Sequence, residues 1–214
     1  MKRFDSVAFD VDSTLVTFEG LDYLAKVKGL EGQLVEITKQ AMNGDLSMRE
    51  AMIKKMSALS PSFDDLLIMG NAYVKNLVPG AIETINILQL NGVKTWITTG
   101  NFQPAVGILA KKLDIPPDQV ICNKIFHGAR GEYLGFDIDN PLSNNMGKNK
   151  TVLDNKDKFG KICFVGDGNT DLETKDVVDL FIGFGGVVVR NKIQENSDVY
   201  IKSPNISQIL RFIL

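Results

Sequence analysis

Two aspartates close the first apolar segment of the chain. Asp10 and Asp12 stand two residues apart at its far end, with Val11 between them. In an extended strand, residues two apart project from the same face, so both carboxylates would face one site. Two close carboxylates repel each other unless a cation or a proton lies between them. The pair favours a magnesium-dependent site that handles phosphate, although an ordinary strand-to-helix turn also accounts for these residue types.

A second acidic cluster follows a later apolar segment. The residues at 161–165 predict a buried strand, and the next six read Gly-Asp-Gly-Asn-Thr-Asp. Asp167 would lie at the strand tip and Asp171 at the start of the following helix. The glycines allow a tight turn and a close approach to a ligand. A glycine-rich loop with a capping aspartate is the alternative, whereas the lack of the closing glutamate disfavours an EF-hand calcium loop.

Two further loops carry residues that suit an anion. Thr99 and Gly100 follow a strand that is predicted to end at Ile97, and we expect them at the entrance of a helix. A hydroxyl and free backbone N–H groups at such an entrance form a phosphate cradle, although a simple helix cap has the same residues. Lys148 opens another predicted helix, where it either neutralises a phosphoryl group or lies in solvent.

The composition is that of a soluble globular protein. Of the 214 residues, 44% are hydrophobic and 23% are charged, and the formal net charge is -2. This charge gives no support to nucleic-acid binding, and no apolar stretch approaches the ~20 residues that a membrane helix needs. The first predicted strand begins soon after Met1, which leaves no room for a signal peptide. We therefore expect a cytoplasmic protein without nucleic-acid or membrane partners.

Helical spacing dominates the segment between the first strand and about residue 77. Apolar residues recur at helical intervals in four stretches, and Ser47 with Glu50 predicts a capping box at the start of the third. The fourth helix is predicted over 63–77. The pattern indicates an all-helical insertion.

Strands and helices alternate in the remainder of the chain. The predicted strands are 93–98, 119–123, 161–165, 180–184 and 198–201, with a hairpin over 124–136; the predicted helices begin near residues 80, 102, 148 and 206. Such alternation predicts an α/β fold with a doubly wound parallel sheet and a ligand site at the carboxyl ends of the strands.

These motifs together resemble the haloacid dehalogenase superfamily of phosphohydrolases and, within it, the phosphoserine phosphatase family. The resemblance rests on Asp-Val-Asp-Ser-Thr at 10–14, Glu19, the Ala-Met-Asn-Gly run at 41–44, Thr99-Gly100, Gly147-Lys148, the acidic loop at 166–171, and the later run at 181–186 followed by Arg190. It implies a Rossmann-like catalytic core, 1–17 and 76–214, with a small helical cap domain, 18–75, inserted after the first strand.

The resemblance also implies a role for each motif residue. Asp10 would be the nucleophile that forms an aspartyl-phosphate, and Asp12 the general acid and then base. Magnesium would be held by the Asp10 carboxylate, the Asp12 backbone carbonyl and Asp167, with Asp171 nearby. The phosphoryl group would be bound by Thr99, Gly100, Lys148 and Thr170.

Substrate recognition departs from the family pattern at two positions. Glu19 would bind the substrate amine and Met42 would form the pocket floor, but Lys55 replaces the usual arginine for the carboxylate. Lysine lacks the planar fork of arginine, and Arg190 is a second candidate carboxylate partner. Asn101 stands where the family pattern has glycine, which adds a side chain to the pocket.

The sequence therefore predicts magnesium-dependent hydrolysis of O-phospho-L-serine in serine biosynthesis. The alternatives are the same chemistry on another small phosphorylated metabolite, phosphotransfer to an acceptor alcohol, and a non-catalytic ligand-binding relative. The protein would be a monomer or a homodimer.

Overall fold

The computed structural model describes residues 3–43 and 45–214, except for the side chain of Met42, so the predicted role of Met42 lies outside the described side chains. The strands are β1 (Ser6–Phe9), β2 (Lys94–Phe102), β3 (Val120–Asn123), β4 (Ile125–His127), β5 (Tyr133–Phe136), β6 (Ile162–Gly166), β7 (Leu180–Phe184) and β8 (Val199–Ile201). The helices are α1 (Gly20–Val27), α2 (Glu31–Met42), α3 (Met48–Leu59), α4 (Phe63–Lys75), α5 (Ala81–Leu90), α6 (Ala105–Lys112), α7 (Gly147–Asp154), α8 (Lys156–Phe159), α9 (Asn169–Leu172), α10 (Asn191–Asn196) and α11 (Leu210–Ile213).

Six parallel strands form the central sheet in the order β3-β2-β1-β6-β7-β8. β1 therefore lies between β2 and β6, with Phe9 in register with Ile97 on one side and with Val165 on the other. The strand order reverses its direction of growth at β1, and this is the point where doubly wound sheets bind ligands. The predicted fold class is confirmed.

Alternating side chains of the strands pack on two different helical layers. Val7 and Phe9 belong to the larger hydrophobic cluster, which includes residues of α5 and α6. Ala8 belongs to a second cluster, which includes Val152 of α7 and Ile193 of α10. Because the strand period is two, alternate side chains of β1 face the two helical layers, and both faces of this parallel sheet are covered.

Helices α1 to α4 lie between β1 and α5 in the chain. A small separate cluster joins α1, α2 and α3 through Leu24, Leu34 and Leu59. α4 instead contributes to the main cluster of the sheet, where Met69 and Tyr73 are buried. The predicted capping box of Ser47 and Glu50 is present at α3. The division into a core and a cap domain of residues 18–75 stays a prediction.

The prediction around residue 100 was wrong in its boundaries. β2 continues to Phe102 instead of ending at 98, and α6 begins at Ala105 instead of 102. Pro104 explains the delay, because a residue that precedes proline is pushed towards extended backbone. Thr99 and Gly100 therefore lie in the last part of a strand and not at a helix entrance.

Two other predicted helices are divided. The helix predicted to begin near residue 148 breaks at Asn155 into α7 and α8. The C-terminal helix begins with a 3₁₀ turn over Ile206–Ile209 before α11. In the described part of the chain, no helix is both long enough and apolar enough to span a membrane.

Candidate active site

The loops that carry the predicted site residues meet at one edge of the sheet. Asp10 directly follows β1, Asp167 directly follows β6, and Thr99 and Gly100 lie near the end of β2. These three strands are neighbours, and the carboxyl ends of parallel strands share one edge. Lys148 joins them from the first turn of α7.

A cavity of about 380 Å³ opens at this edge between the sheet and the helices after β1. Nine of the predicted site residues line it: Asp10, Asp12, Glu19, Lys55, Thr99, Gly100, Lys148, Thr170 and Arg190. Asp167 and Asp171 are buried next to Asp10. The structure thus brings together residues from all three thirds of the chain.

Lys148 is the cation at the centre of the acidic cluster. Its Nζ lies 2.8 Å from Oδ1 of Asp10 and 2.5 Å from Oδ1 of Asp171. The lysine is only 5% exposed, and burial alone lowers the pKa of an ammonium group. The two carboxylate charges outweigh that effect and raise the pKa of Lys148 above its usual value. Lys148 therefore stays charged.

Asp171 is fixed by the loop that precedes it. Its Oδ2 accepts hydrogen bonds from the backbone N–H groups of Asp167 at 3.0 Å and Gly168 at 2.9 Å. Burial raises the pKa of Asp171 to about 7, with the Lys148 ammonium opposing the rise and the Asp10 carboxylate adding to it. Position 166 must be glycine because a Cβ there would overlap the Asp171 carboxylate.

Three buried carboxylates fit a small divalent cation. Asp10, Asp167 and Asp171 each offer an oxygen, and these oxygens lie within 4.8 Å of one another. Magnesium prefers oxygen ligands and is commonly held by one or two carboxylates together with substrate phosphate. The donor set therefore suits Mg²⁺, and the excess of negative charge at the site favours a cation.

Asp12 lies in the turn that follows β1. The strand ends at Phe9, so the turn brings Asp12 to the same cavity as Asp10, and the strand pleat that we expected to do so is not involved. Oδ2 of Asp12 accepts a hydrogen bond from the N–H of Gly20 at 2.8 Å, and Oδ1 accepts one from the Tyr73 hydroxyl at 3.2 Å. Burial and then the nearby Glu19 charge raise the pKa of Asp12 to about 8, although a hydrogen bond from the Asn101 side chain lowers it.

The end of β2 is held by polar contacts from neighbouring loops. The Gly100 carbonyl accepts a hydrogen bond from Nδ2 of Asn123 at 2.8 Å, and the Ser143 hydroxyl donates to Oδ1 of Asn123 at 3.1 Å. Asn101 is buried and its backbone N–H donates to the Thr99 hydroxyl at 3.3 Å. Thr99 and Gly100 are therefore fixed before any anion binds.

The predicted substrate contacts have partners within the chain. Ser13 donates a hydrogen bond to Oε1 of Glu19 at 2.7 Å, and a guanidinium nitrogen of Arg190 lies 3.6 Å from the same oxygen. Arg190 also contacts the Asp167 carboxylate. Lys55 lines the cavity from α3 and is half-buried.

Sequence reasoning missed several residues at the site. Asn144 lines the cavity from the loop before α7, and Arg49 of α3 donates to its Oδ1 at 3.1 Å. Tyr73 reaches Asp12 from α4. Neither contact has a signal in the sequence, because helical spacing places Tyr73 on an apolar face without indicating which residue its hydroxyl meets.

Comparison with known proteins agrees with this geometry. The family model for haloacid dehalogenase-like hydrolases matches residues 7–174. The phosphoserine phosphatase of Rattus norvegicus is 38% identical over 199 residues, which cover 92% of this chain and 88% of that protein, and the Homo sapiens enzyme is 37% identical with the same coverage. A solved structure described as a substrate-bound phosphoserine phosphatase complex covers the full length of both chains, with 25% identity and a TM-score of 0.80.

The family model and these relatives each cover most of the chain. The chain therefore belongs to the haloacid dehalogenase-like hydrolases and, within them, to the phosphoserine phosphatase family of phosphoric monoester hydrolases.

Proposed function

We propose that this protein hydrolyses O-phospho-L-serine with magnesium, through an aspartyl-phosphate on Asp10, as the last step of serine biosynthesis. The observation that carries the proposal is the contact of Lys148 with Asp10 and Asp171 in a cavity that Thr99 and Gly100 also line. A nucleophile, a cation and polar groups for a phosphate thus face one space. The names of the relatives support phosphoserine as the substrate.

In the first half of the reaction, Asp10 attacks the phosphorus atom. A bond forms between its carboxylate oxygen and phosphorus, and the bond from phosphorus to the serine oxygen breaks. Asp12 gives a proton to the departing oxygen, which leaves as the serine hydroxyl. Its raised pKa favours the protonated form that this step requires.

In the second half, water hydrolyses the aspartyl-phosphate. Asp12, now a carboxylate, takes a proton from the attacking water, and the phosphorus bond to Asp10 breaks. Inorganic phosphate leaves and the Asp10 carboxylate is restored. Throughout, Lys148 and the Thr99 and Gly100 groups hold the phosphoryl oxygens. Mg²⁺ bound by Asp10, Asp167 and Asp171 would supply charge neutralisation when present.

Substrate recognition falls to residues of the helical segment. Glu19 would bind the ammonium group, and Lys55 is the cation that α3 contributes to the cavity wall. Arg190 is less available to bind the substrate carboxylate, because it already contacts Asp167 and Glu19. Because these two contacts occupy Arg190, they favour a second candidate function, the hydrolysis of a small phosphate ester that carries an amine but no carboxylate.

The test is phosphate release from O-phospho-L-serine and phosphoethanolamine, with and without Mg²⁺. We expect phosphate release that requires Mg²⁺. The kcat/KM for phosphoserine should be at least about tenfold higher than that for phosphoethanolamine, since a charged hydrogen bond to the carboxylate contributes roughly 1.5–3 kcal/mol. Faster hydrolysis of phosphoethanolamine would favour the second candidate. No metal-dependent release from either ester would contradict both.

Three variants sharpen the test. Asp10→Asn should remove turnover because the nucleophilic carboxylate is lost. The far-ultraviolet circular dichroism spectrum should be retained, because asparagine has nearly the same shape and Lys148 keeps its contact with Asp171. Lys55→Met should lower kcat/KM for phosphoserine and leave that for phosphoethanolamine unchanged, whereas Lys54→Met, an exposed neighbour, should change neither. An equal effect of both lysine variants would mean that Lys55 does not read the carboxylate.

A further inference from the structure

The Asp12 carboxylate is held from two sides by the helical segment after β1. Tyr73, from α4, donates its hydroxyl to Oδ1 at 3.2 Å across a sequence separation of 61 residues. Gly20, the first residue of α1, donates its backbone N–H to Oδ2 at 2.8 Å. Each carboxylate oxygen thus has its own donor, so rotation about the bond that carries the carboxyl group is restricted.

Tyr73 is itself rigidly placed. The side chain is fully buried in the main hydrophobic cluster, and its ring stacks on Phe18 with centroids 5.4 Å apart. Gly20 provides the space for the hydroxyl, because a Cβ at that position would overlap it. A hydroxyl that is buried in this way needs a polar partner, and the partner is Asp12.

The phenol group suits a partner that changes its protonation state. A tyrosine hydroxyl both donates and accepts hydrogen bonds. It donates to Asp12 as a carboxylate, and it accepts or donates when Asp12 carries a proton. The contact can therefore persist through both halves of the reaction, in which Asp12 first gives a proton and then takes one.

We infer that Tyr73 is a positioning residue that holds the Asp12 carboxyl group towards the leaving oxygen of the substrate. The inference rests on the proposed function, since it concerns the acid of that reaction. A purely structural tyrosine would contribute packing through its ring, whereas a positioning tyrosine acts through its hydroxyl. The variant Tyr73→Phe separates the two, because it removes one oxygen and keeps the ring.

The experiment compares two esters that differ in their need for an acid. The serine alkoxide needs a proton as it leaves, whereas the leaving group of p-nitrophenyl phosphate is stable as an anion. kcat/KM reports on the steps up to transfer of the phosphoryl group and excludes the later hydrolysis. For Tyr73→Phe we expect kcat/KM to fall roughly tenfold with phosphoserine and less than about twofold with p-nitrophenyl phosphate, as only general acid catalysis is impaired.

Two further variants calibrate the result. Asp12→Asn should show the largest loss of kcat/KM with phosphoserine relative to p-nitrophenyl phosphate. This result would establish that the difference between the two esters measures general acid catalysis. Tyr23→Phe removes another tyrosine hydroxyl from the same aromatic group, where the Tyr23 ring also contacts Phe18. Among the residues that the structure describes, Tyr23 is not one of those that line the cavity. The kcat/KM values of Tyr23→Phe for both esters should therefore stay at the wild-type value.

The outcomes are distinct. An unchanged Tyr73→Phe enzyme, or equal losses with both esters, would overturn the role of Tyr73 while the proposed function stands. A lower thermal midpoint together with equal losses would assign Tyr73 to packing alone. Asp12→Asn with equal losses on both esters would overturn the acid role of Asp12 and, with it, this inference. A wild-type protein without phosphoserine hydrolysis would overturn the proposed function as well.

Discussion

At the scale of single residues, the site depends on one buried ammonium group. Lys148 Nζ contacts Asp10 and Asp171, and all three side chains are buried, so their charges are screened less than charges at the surface would be. A buried charge cluster is favourable only while each charge keeps a partner. Lys148 therefore has a structural role in addition to the proposed phosphate contact.

The first prediction is that Lys148→Met destabilises the protein. Removal of one partner from a buried ion pair typically costs about 3–5 kcal/mol, because the other charges stay buried and uncompensated. We expect a loss of this size in the free energy of unfolding, measured by urea denaturation at pH 7, together with loss of phosphate release.

Lys150→Met is the matched control on the same helix. Lys150 is exposed and pairs with Asp154 one turn later, at 2.9 Å. Exposed pairs of this kind contribute about 0.3–0.5 kcal/mol. Equal destabilisation by the two variants would mean that the contacts of Lys148 with Asp10 and Asp171 carry no special weight.

The sequence identifies Lys148 as a phosphate ligand by resemblance, but it does not indicate the pairing with Asp171. The two residues lie 23 positions apart, in different helices. Their contact depends on how α7 and α9 pack beside β6. No local pattern encodes that arrangement.

At the scale of elements, two helices meet at Gly20. The second prediction is that Gly20→Ala destabilises the protein by about 1–3 kcal/mol, because the new Cβ overlaps the Tyr73 hydroxyl and forces the close packing of α1 and α4 to shift. Thermal and urea denaturation measure the loss.

Gly32→Ala is the matched variant, and it should raise the free energy of unfolding. Gly32 lies in α2, and a Cβ there meets no atom within 4 Å. Alanine is the better helix former by up to about 1 kcal/mol, so this variant should be more stable than wild type. Destabilisation by both variants would contradict the steric explanation for Gly20.

The third prediction concerns the start of α4. Asp65 forms a capping box with Ser62 and an ion pair with Lys28 at 2.7 Å. Burial raises the pKa of Asp65, but hydrogen bonds from Lys28 and Ser62 outweigh burial and hold the pKa below its usual range. A depressed folded-state pKa contributes stability above the unfolded pKa of about 3.9, and this contribution is lost as the pH falls through the folded value.

Asp65→Asn should therefore lower the free energy of unfolding by about 1 kcal/mol at pH 7. The difference from wild type should begin to shrink below about pH 4, where the carboxylate of the unfolded chain takes up a proton, and should vanish once the pH falls below the depressed folded-state pKa. Urea denaturation of both proteins at pH 7 and below about pH 4 measures this difference in the free energy of unfolding. Asp64→Asn, an exposed neighbour, is the control, and a constant difference at both pH values would exclude the carboxylate charge as the cause.

Elements with strong local signals were predicted well, and others were not. The Ser47 capping box appears where the sequence indicates it, because both of its hydrogen bonds join residues three positions apart. The end of β2 was misplaced, although Pro104 carries the local signal for a late helix start. The extension of β2 to Phe102 depends in addition on pairing with β3, which is a tertiary contact.

At the scale of the whole molecule, the sheet order creates the concentration of charge. β1, β2 and β6 are neighbours, so the acids that follow β1 and β6 meet at one edge. Their repulsion destabilises the folded protein unless cations compensate it. A divalent ion that binds only the folded state should therefore stabilise the entire fold.

The fourth prediction is that Mg²⁺ raises the free energy of unfolding. A ligand at one hundred times its dissociation constant stabilises the native state by about 2.7 kcal/mol. Urea denaturation with Mg²⁺ and with a chelator measures this without an activity assay. Asp167→Asn should reduce the effect, because a ligand carboxylate is lost, whereas Asp176→Asn, at an exposed acid nearby, should keep it. An Mg²⁺ effect of equal size in both variants would place the ion elsewhere.

The sequence by itself determined the class of fold and the inventory of chemical groups. Short continuous apolar runs, alternating with helical patterns, are local properties, and they predicted the parallel sheet around β1 and β6. The motif residues Asp10, Lys148 and Asp167 were recognisable as types at characteristic positions in the chain.

Only the tertiary structure decided which groups contact one another. Tyr73 reaches Asp12 because α4 packs on the main hydrophobic cluster. Arg190 contacts Asp167 because β6 and β7 are neighbouring parallel strands, so the segment after β7 lies beside the end of β6. Side-chain contacts across such separations depend on the simultaneous packing of several elements. The spacing of residues along the chain does not encode them, and so the sequence supplied the parts of the site while the fold supplied its geometry.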